Sequence, residues 1–225
     1  MEPWYKVTTP RIEVRERRSF NPDEFAIALE QVVAGNAPLD YRDPRLFFDR
    51  TVFTRALNEH LGLVLRRLGG QTQNTAPVLS LIAQFGGGKT HTLAALYHLV
   101  KQPEISGRHP DVQRLLSAVS LAKIPKAQVG FFRGERVGSQ RRTRHTLDRP
   151  RAASGRARWC GSLGPKTNTT PPGTDTLQRV VHAAGGNVLS LFDEVLNFLS
   201  RHRDLAEGFY AFPRQYSEGH DRHKG

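Results

Sequence analysis

A glycine-rich turn between an apolar run and an amphipathic pattern constrains the fold of this chain more than any other feature. The apolar run covers residues 78–82, and the turn after it reads Ala83-Gln84-Phe85-Gly86-Gly87-Gly88-Lys89-Thr90. Residues 91–100 (HTLAALYHLV) then place apolar side chains at helical spacing. A buried strand, a turn and a helix in this order direct backbone N–H groups inward and form a cradle for phosphates. The sequence therefore predicts a P-loop.

The P-loop pattern is glycine, four residues, then Gly-Lys-Ser/Thr, and Gly88, Lys89 and Thr90 fill its last three positions. Ala83 replaces the first glycine. We expect Lys89 to contact the β- and γ-phosphates of ATP as a catalytic group, and the Thr90 hydroxyl to bind Mg²⁺. The alternative is a simple flexible turn, but such turns rarely end in Gly-Lys-Thr at the start of an amphipathic helix. The predicted cofactor-binding residues are Phe85, Gly86, Gly87, Gly88, Lys89, Thr90 and His91.

A nucleotide site that hydrolyses ATP needs a second, acidic element at the end of a neighbouring strand. Residues 188–194 (VLSLFDE) supply it. Asp193 is predicted to orient Mg²⁺ through water, and Glu194 to act as the general base toward the attacking water. The alternative is a strand whose acidic end caps a helix over residues 195–199. The P-loop earlier in the chain favours the catalytic interpretation.

Length and composition indicate one ordinary domain with an N-terminal extension, since 225 residues with 38% hydrophobic side chains are enough for a core. No run approaches the roughly 20 apolar residues of a membrane span, and the first 14 residues lack the order of a signal peptide. We therefore expect a cytoplasmic protein without membrane attachment. A single cysteine, Cys160, excludes an internal disulfide framework. The nine histidines are scattered and predict no metal site.

The net charge of +12 first indicates a nucleic-acid partner, and a basic nucleic-acid-binding module with a vestigial P-loop is the alternative function. The distribution of the charge argues against it. Residues 133–165 hold nine arginines against Glu135 and Asp148, a net charge of +7, and residues 213–225 add +1. Eight of the twelve charges thus lie in two segments that are unusual in other respects.

Residues 133–165 show neither helical nor strand periodicity, and a disordered basic insertion is the simplest interpretation. A second hypothesis is that this segment is translated out of frame. With permitted third-base choices, a shift of one base restores the end of a strand followed by an amphipathic helix, and both frames converge at residues 163–165. The same shift gives residues 213–225 a reading that contains the end of a helix leading toward another strand. Resequencing the coding DNA tests the hypothesis, because an intact frame in independent clones would contradict it.

The remaining sequence predicts alternating helices and strands. One helix begins at Asn21-Pro22-Asp23-Glu24 and stops at Gly35, and a second runs from about Arg50 to Arg67 before Gly69-Gly70. Residues 103–110 are a predicted loop, 112–121 a short helix, and 129–132 and 188–192 strands of a parallel α/β sheet. The predicted organisation is an N-terminal helical segment (1–75), a P-loop core (76–212) and a suspect tail (213–225). Core packing is assigned to Phe47, Phe48, Phe53, Leu57, Leu61 and Leu65.

Four stretches of this sequence resemble the N-terminal part of the large predicted AAA+ ATPases called domain of unknown function 499. They are NPDEFAIALEQVVAG, YRDPRLFFDRTVFTRAL, QFGGGKTHTL and VLSLFDEVLNFL. The similarity covers about residues 1–132 and 166–212, and the shifted reading of residues 133–165 resembles the family as well. Position by position, Gly86 to Thr90 match the nucleotide loop, and Asp193 with Glu194 match the acidic pair.

The resemblance implies a cytoplasmic prokaryotic ATPase with an AAA+-like P-loop fold that binds ATP and Mg²⁺. Relatives found beside DNA methyltransferases in phage-exclusion systems imply a DNA-modifying or DNA-bound protein complex as partner, and the full-length proteins are expected to form homo-oligomers. Family members are much longer, so we expect this chain to be an incomplete fragment. We also expect it to bind ATP weakly with negligible turnover, because this class needs catalytic groups from further along the chain or from a neighbouring subunit.

Overall fold

The computed structural model describes residues 3–10, 12–17, 28–84, 86–133, 186–195 and 200. Within them the chain forms nine helices and two strands. The helices are α1 (Trp4–Val7), α2 (Ile12–Arg15), α3 (Leu29–Ala34), α4 (Leu39–Arg42), α5 (Pro44–Arg50), α6 (Arg55–Leu68), α7 (Lys89–Lys101), α8 (Pro103–Ser106) and α9 (Pro110–Ala118). The strands are β1 (Gln128–Arg133) and β2 (Val188–Asp193).

Helix α3 ends where the sequence predicts. Gly35 adopts a left-handed conformation with a φ of 77°, and its backbone N–H donates to carbonyls of the last turn. Glycine adopts this conformation without the steric cost of a Cβ atom, so it commonly terminates helices. The predicted stop is confirmed, whereas the predicted start at Asn21 lies outside the described residues.

The single helix predicted from Arg50 to Arg67 is wrong, because two helices occupy this region. Helix α5 ends at Arg50, and α6 begins at Arg55 after a short extended connection. Thr54 is the N-cap residue of α6, and its hydroxyl oxygen accepts a hydrogen bond from the backbone N–H of Leu57 at 3.2 Å. A threonine that satisfies a free N–H group in this way favours the start of a new helix over the continuation of the previous one.

Two of the next three elements differ from the prediction only in their bounds, and the third, a predicted loop, contains a short helix. Helix α7 covers the predicted residues 91–100 and begins two residues earlier, at Lys89. The predicted loop over residues 103–110 contains the single-turn helix α8, which has Pro103 at its first position, where a missing N–H costs nothing. Helix α9 likewise has a proline at its first position, Pro110, and ends at Ala118, three residues earlier than predicted.

Strands β1 and β2 pair in parallel, which confirms the predicted orientation. Val129 lies opposite Leu189, and Phe131 lies opposite Leu191. Asn187 fixes the start of this pairing, because its side-chain amide donates to the carbonyls of Leu68 at 2.9 Å and Lys126 at 3.3 Å. One side chain thus ties the end of α6 and the approach to β1 to the start of β2.

The strand predicted for residues 78–82 is not formed. This segment is irregular, and the side chain of Ile82 is 94% exposed. A strand needs a neighbour that accepts and donates its backbone hydrogen bonds. In the described part of the chain, β1 and β2 pair only with each other, and residues 78–82 have no strand beside them. The apolar composition of residues 78–82 is therefore not enough to make them a strand.

Helix α7 lies at the centre of the described structure. It packs against α3, α5 and α6 on the side of the N-terminal helices and against both strands. The core accordingly runs through α7, and its most buried members include Leu29, Phe47, Phe48, Leu61, Leu65, Leu99 and Leu191. The core assignments of Phe47, Phe48, Leu57, Leu61 and Leu65 are confirmed, and Phe53 packs against the core while partly buried. The predicted boundary at residue 75 thus divides the chain between segments that share one core.

Candidate nucleotide-binding site

The glycine-rich loop turns sharply into α7, and its three glycines are there for steric reasons. Gly86 and Gly88 are left-handed, with φ values of 78° and 73°. Gly87 has an ordinary φ, but a Cβ atom added there would lie 2.7 Å from the Cβ of Ala83 and 3.0 Å from the carbonyl oxygen of Gln84. A side chain at any of these positions would therefore introduce strain or a close contact.

The ammonium group of Lys89 folds back over the loop. Its Nζ donates to the carbonyl oxygen of Ala83 at 2.8 Å and to that of Gln84 at 2.9 Å, and the loop residues around it are exposed. Both acceptors are neutral carbonyl oxygens of exposed residues. Anionic oxygens form stronger hydrogen bonds with an ammonium group than carbonyls do, so a phosphate at this place can take over these two bonds.

Helix α7 offers a second group of donors at the same place. Gly88 precedes the helix and has no side chain that could cap it. The first intrahelical bond in this turn runs from the N–H of Thr92 to the carbonyl of Gly88 at 2.9 Å. The N–H groups of the preceding first-turn residues have no partner within a helix, and the helix dipole adds a partial positive charge. Thr90 is half-buried in this turn, while Phe85 lies outside the described residues.

The ring of His91 faces the N-terminal helices. It stacks on the ring of Phe47, with centroids 4.6 Å apart and an interplanar angle of 26°. Its Nε2 lies 3.0 Å from the hydroxyl oxygen of Thr51. The predicted contact of His91 with a nucleotide would therefore be made by its backbone N–H group and not by its ring. Thr51 and Phe47 were not predicted as neighbours of the loop, because they are about 40 positions earlier in the chain and carry no motif.

His91 belongs to an aromatic cluster that joins α4, α5, α7 and the start of α9. His98 is the most enclosed histidine of this cluster: its Nε2 lies 2.8 Å from the carbonyl oxygen of Tyr41, and its Nδ1 is buried without a hydrogen-bond partner. Burial lowers the pKa of both His91 and His98, although the Tyr41 carbonyl and the charge of Asp43 partly oppose the effect at His98. The cluster consists of Tyr41, Phe47, Phe48, Phe53, His91, His98 and His109.

Mild acid should destabilise the fold through these two histidines. Their pKa values in the folded chain lie below the ordinary value of about 6.5, so the unfolded chain binds more protons. The free energy of unfolding should therefore be fully retained above about pH 6.5 and fall as the pH drops through the folded pKa values. Urea unfolding between neutral pH and pH 5 measures the slope. His98→Gln keeps a donor toward Tyr41 and cannot be protonated, so an equally steep slope in this variant would contradict the assignment.

The acidic pair lies at the end of β2. Asp193 is the last residue of the strand, and one of its carboxylate oxygens accepts the backbone N–H of Glu194 at 3.0 Å. Glu194 has a φ of 53°, a left-handed conformation that is uncommon for residues other than glycine. The chain therefore turns sharply at this point. Because β2 packs against α7, the acidic pair and the loop lie on neighbouring elements.

The described residues contain no group of three or more histidine, cysteine, aspartate or glutamate side chains that is arranged to hold a metal ion. A nucleotide-bound Mg²⁺ does not require one, since it takes most of its ligands from phosphate oxygens and water. Thr90 and Asp193 are the two side chains predicted to complete such a shell.

Among the described residues, no helix is long and apolar enough to cross a membrane.

A family model, the DUF499 N-terminal domain, matches residues 7–123. This match covers just over half of the chain. The protein belongs to the DUF499 family. No curated protein and no solved structure matches the chain.

The part matched to DUF499 contains the helices from α2 to α9 and the whole glycine-rich loop. It ends before β1, so the acidic pair lies outside it. The family expected from the sequence motifs is therefore confirmed, whereas membership of the AAA+ class stays a prediction. Residues 134–165 of the arginine-rich segment 133–165, the tail 213–225, and residues 196–199 of the helix predicted over residues 195–199 lie outside the described residues.

Proposed function

We propose that this DUF499 protein binds ATP with Mg²⁺ at the loop formed by residues 83–90, as a P-loop ATPase of the AAA+ class. The observation that carries the proposal is the position of Lys89. Its ammonium group lies over a loop of left-handed glycines at the uncapped start of α7. Backbone N–H groups, a helix dipole and a lysine thus converge on one exposed place, which is the arrangement that binds the phosphates of a nucleotide.

The proposed roles of the side chains follow from their chemistry. Lys89 binds the β- and γ-phosphates, and the Thr90 hydroxyl is a ligand of Mg²⁺. Asp193 orients the ion through a water molecule. Glu194 accepts a proton from the water that attacks the γ-phosphorus, so that ADP leaves as inorganic phosphate forms.

We expect negligible turnover in the isolated chain. Hydrolysis requires the phosphates, Mg²⁺ and attacking water to be held in a fixed geometry. The segment before the loop, residues 78–82, is irregular and partly exposed and has no strand beside it within the described region, so the loop is anchored mainly from the side of α7. We further propose that hydrolysis is coupled, in an oligomer, to rearrangement of a DNA-bound or DNA-modifying protein complex, as the family resemblance implies.

Binding measurements with two ligands test the proposal. Titration calorimetry of the 225-residue chain with ATP and Mg²⁺ should give saturable binding, and omission of Mg²⁺ should weaken it. A parallel titration with duplex DNA at about 50 mM and 200 mM salt tests the nucleic-acid alternative, for which the affinity should fall steeply with salt. Absence of nucleotide binding together with strong, salt-dependent DNA binding would contradict the proposed function.

A further inference from the structure

One contact links the N-terminal helices directly to the first turn of α7. The Oγ1 of Thr51, in the connection between α5 and α6, lies 3.0 Å from the Nε2 of His91. Thr51 is only 7% exposed, and α5 packs against α7 beside it. The contact joins residues 40 positions apart, so it forms only when the helical segment is docked.

The hydrogens of this contact can be assigned. Thr51 donates its single hydroxyl hydrogen to the carbonyl of Phe47 at 2.6 Å. The Nε2 of His91 must therefore carry the hydrogen that it shares with the Thr51 oxygen. Phe47 also holds the plane of the imidazole by stacking, and the ring of Tyr41 meets it edge-on at 6.4 Å. The His91 ring is thus held in direction and in plane by α4, α5 and the residue after α5.

The position of His91 in the chain gives this restraint a consequence for the loop. His91 directly follows Thr90 and is two residues after Lys89, so the orientation of its backbone sets that of both neighbours. The three glycines before it, Gly86 to Gly88, are exposed. A loop of this composition loses conformational entropy when it binds a ligand, and a fixed first helical turn reduces that cost.

We propose that His91 is a positioning residue for the nucleotide loop, and that the N-terminal helical segment controls nucleotide affinity through the contact between Thr51 and His91. This inference rests on the proposed function. Nucleotide binding and docking of α5 should then strengthen each other, since a coupling between two sites is reciprocal. Bound MgATP should slow amide hydrogen exchange in α5.

The test compares three threonine variants by MgATP titration and urea unfolding. Thr51→Val removes the hydroxyl and keeps the shape, whereas Thr51→Ser keeps the hydroxyl. Thr75→Val is the matched control: Thr75 is 8% exposed and donates to the carbonyl four residues earlier at 2.6 Å, as Thr51 does. Thr51→Val should weaken MgATP binding about three- to tenfold, the range expected for loss of one hydrogen bond. Thr51→Ser and Thr75→Val should leave the affinity unchanged, although Thr75→Val should lose stability as Thr51→Val does.

Hydrogen exchange adds a readout that a purely structural role would not move. MgATP should slow exchange in α5 of the wild-type chain and not in α5 of Thr51→Val. If the wild-type chain binds MgATP and Thr51→Val binds it equally well, the positioning role is wrong and the proposed function stands. Equal losses of affinity in Thr51→Val and Thr75→Val would also overturn it. If the wild-type chain does not bind MgATP, both proposals fail.

Discussion

Replacement of Lys89 by alanine should weaken MgATP binding by roughly 10- to 100-fold, the loss expected when a hydrogen bond to a charged group is removed. The free energy of unfolding should change little. The two carbonyl oxygens that Lys89 contacts, those of Ala83 and Gln84, belong to exposed residues, so water can replace its ammonium group. Alanine also has the highest helix propensity, so the start of α7 is retained.

The matched control is Lys123→Ala. Lys123 is exposed in the connection between α9 and β1, and its replacement changes the net charge by the same amount. Titration calorimetry of the three chains separates a local effect from a general loss of positive charge. If Lys89→Ala and Lys123→Ala bind MgATP with the same affinity, Lys89 does not contact the phosphates and the nucleotide site is wrongly placed.

The sequence predicted those elements of the fold whose determinants are local. Gly35 stops α3 by its own left-handed conformation, and α7 follows directly from Gly88. The strands over residues 129–132 and 188–192 were also predicted, including their parallel orientation. Residues 78–82 show the limit of this reasoning. Their composition is typical of a buried strand, but a strand also needs a partner, and the pattern of one segment carries no information about its neighbours.

The break between α5 and α6 shows a second limit. Apolar residues continue at helical spacing through residues 50–67, so periodicity predicted one helix. The hydroxyls of Thr51 and Thr54 instead satisfy backbone groups at the end of one helix and the start of the next. Such side-chain hydrogen bonds compete with a continuous helix. Their effect cannot be judged from the sequence without knowing how the surrounding residues pack. The same break places Thr51 against His91.

The loop could be located from its motif, but its surroundings could not. Gly86 and Gly88, which were predicted as site residues, adopt left-handed conformations, and the ammonium group of Lys89 donates to a carbonyl of the loop. The orientation of His91 depends on Phe47 and Thr51, which meet it only after α5 packs on α7. A linear motif cannot encode such a contact, because its partners lie in a different part of the chain.

Phe47→Ala should lower the free energy of unfolding by about 3–5 kcal/mol, the range for removal of a buried phenylalanine side chain. Phe47 is 1% exposed, and its ring lies within 5.2 Å of the rings of Phe48, His91 and His98, measured between centroids. Its loss leaves a cavity at the junction of α5 and α7. Val52→Ala is the control, because Val52 is 78% exposed and such surface changes usually alter stability by less than about 0.5 kcal/mol.

Phe47→Leu separates the volume of the ring from its stacking. Leucine fills much of the cavity and cannot stack on His91, so this variant should lose about 1–3 kcal/mol, less than the alanine variant. Urea unfolding, followed by circular dichroism, gives the free energies of unfolding of the wild-type chain and of the three variants, provided that the denaturant slopes agree. If Phe47→Ala were no less stable than Val52→Ala, α5 would not be docked on α7. The hydrogen bond between Thr51 and His91 would then have no packed interface to support it. The N-terminal helices could not control nucleotide affinity through this contact.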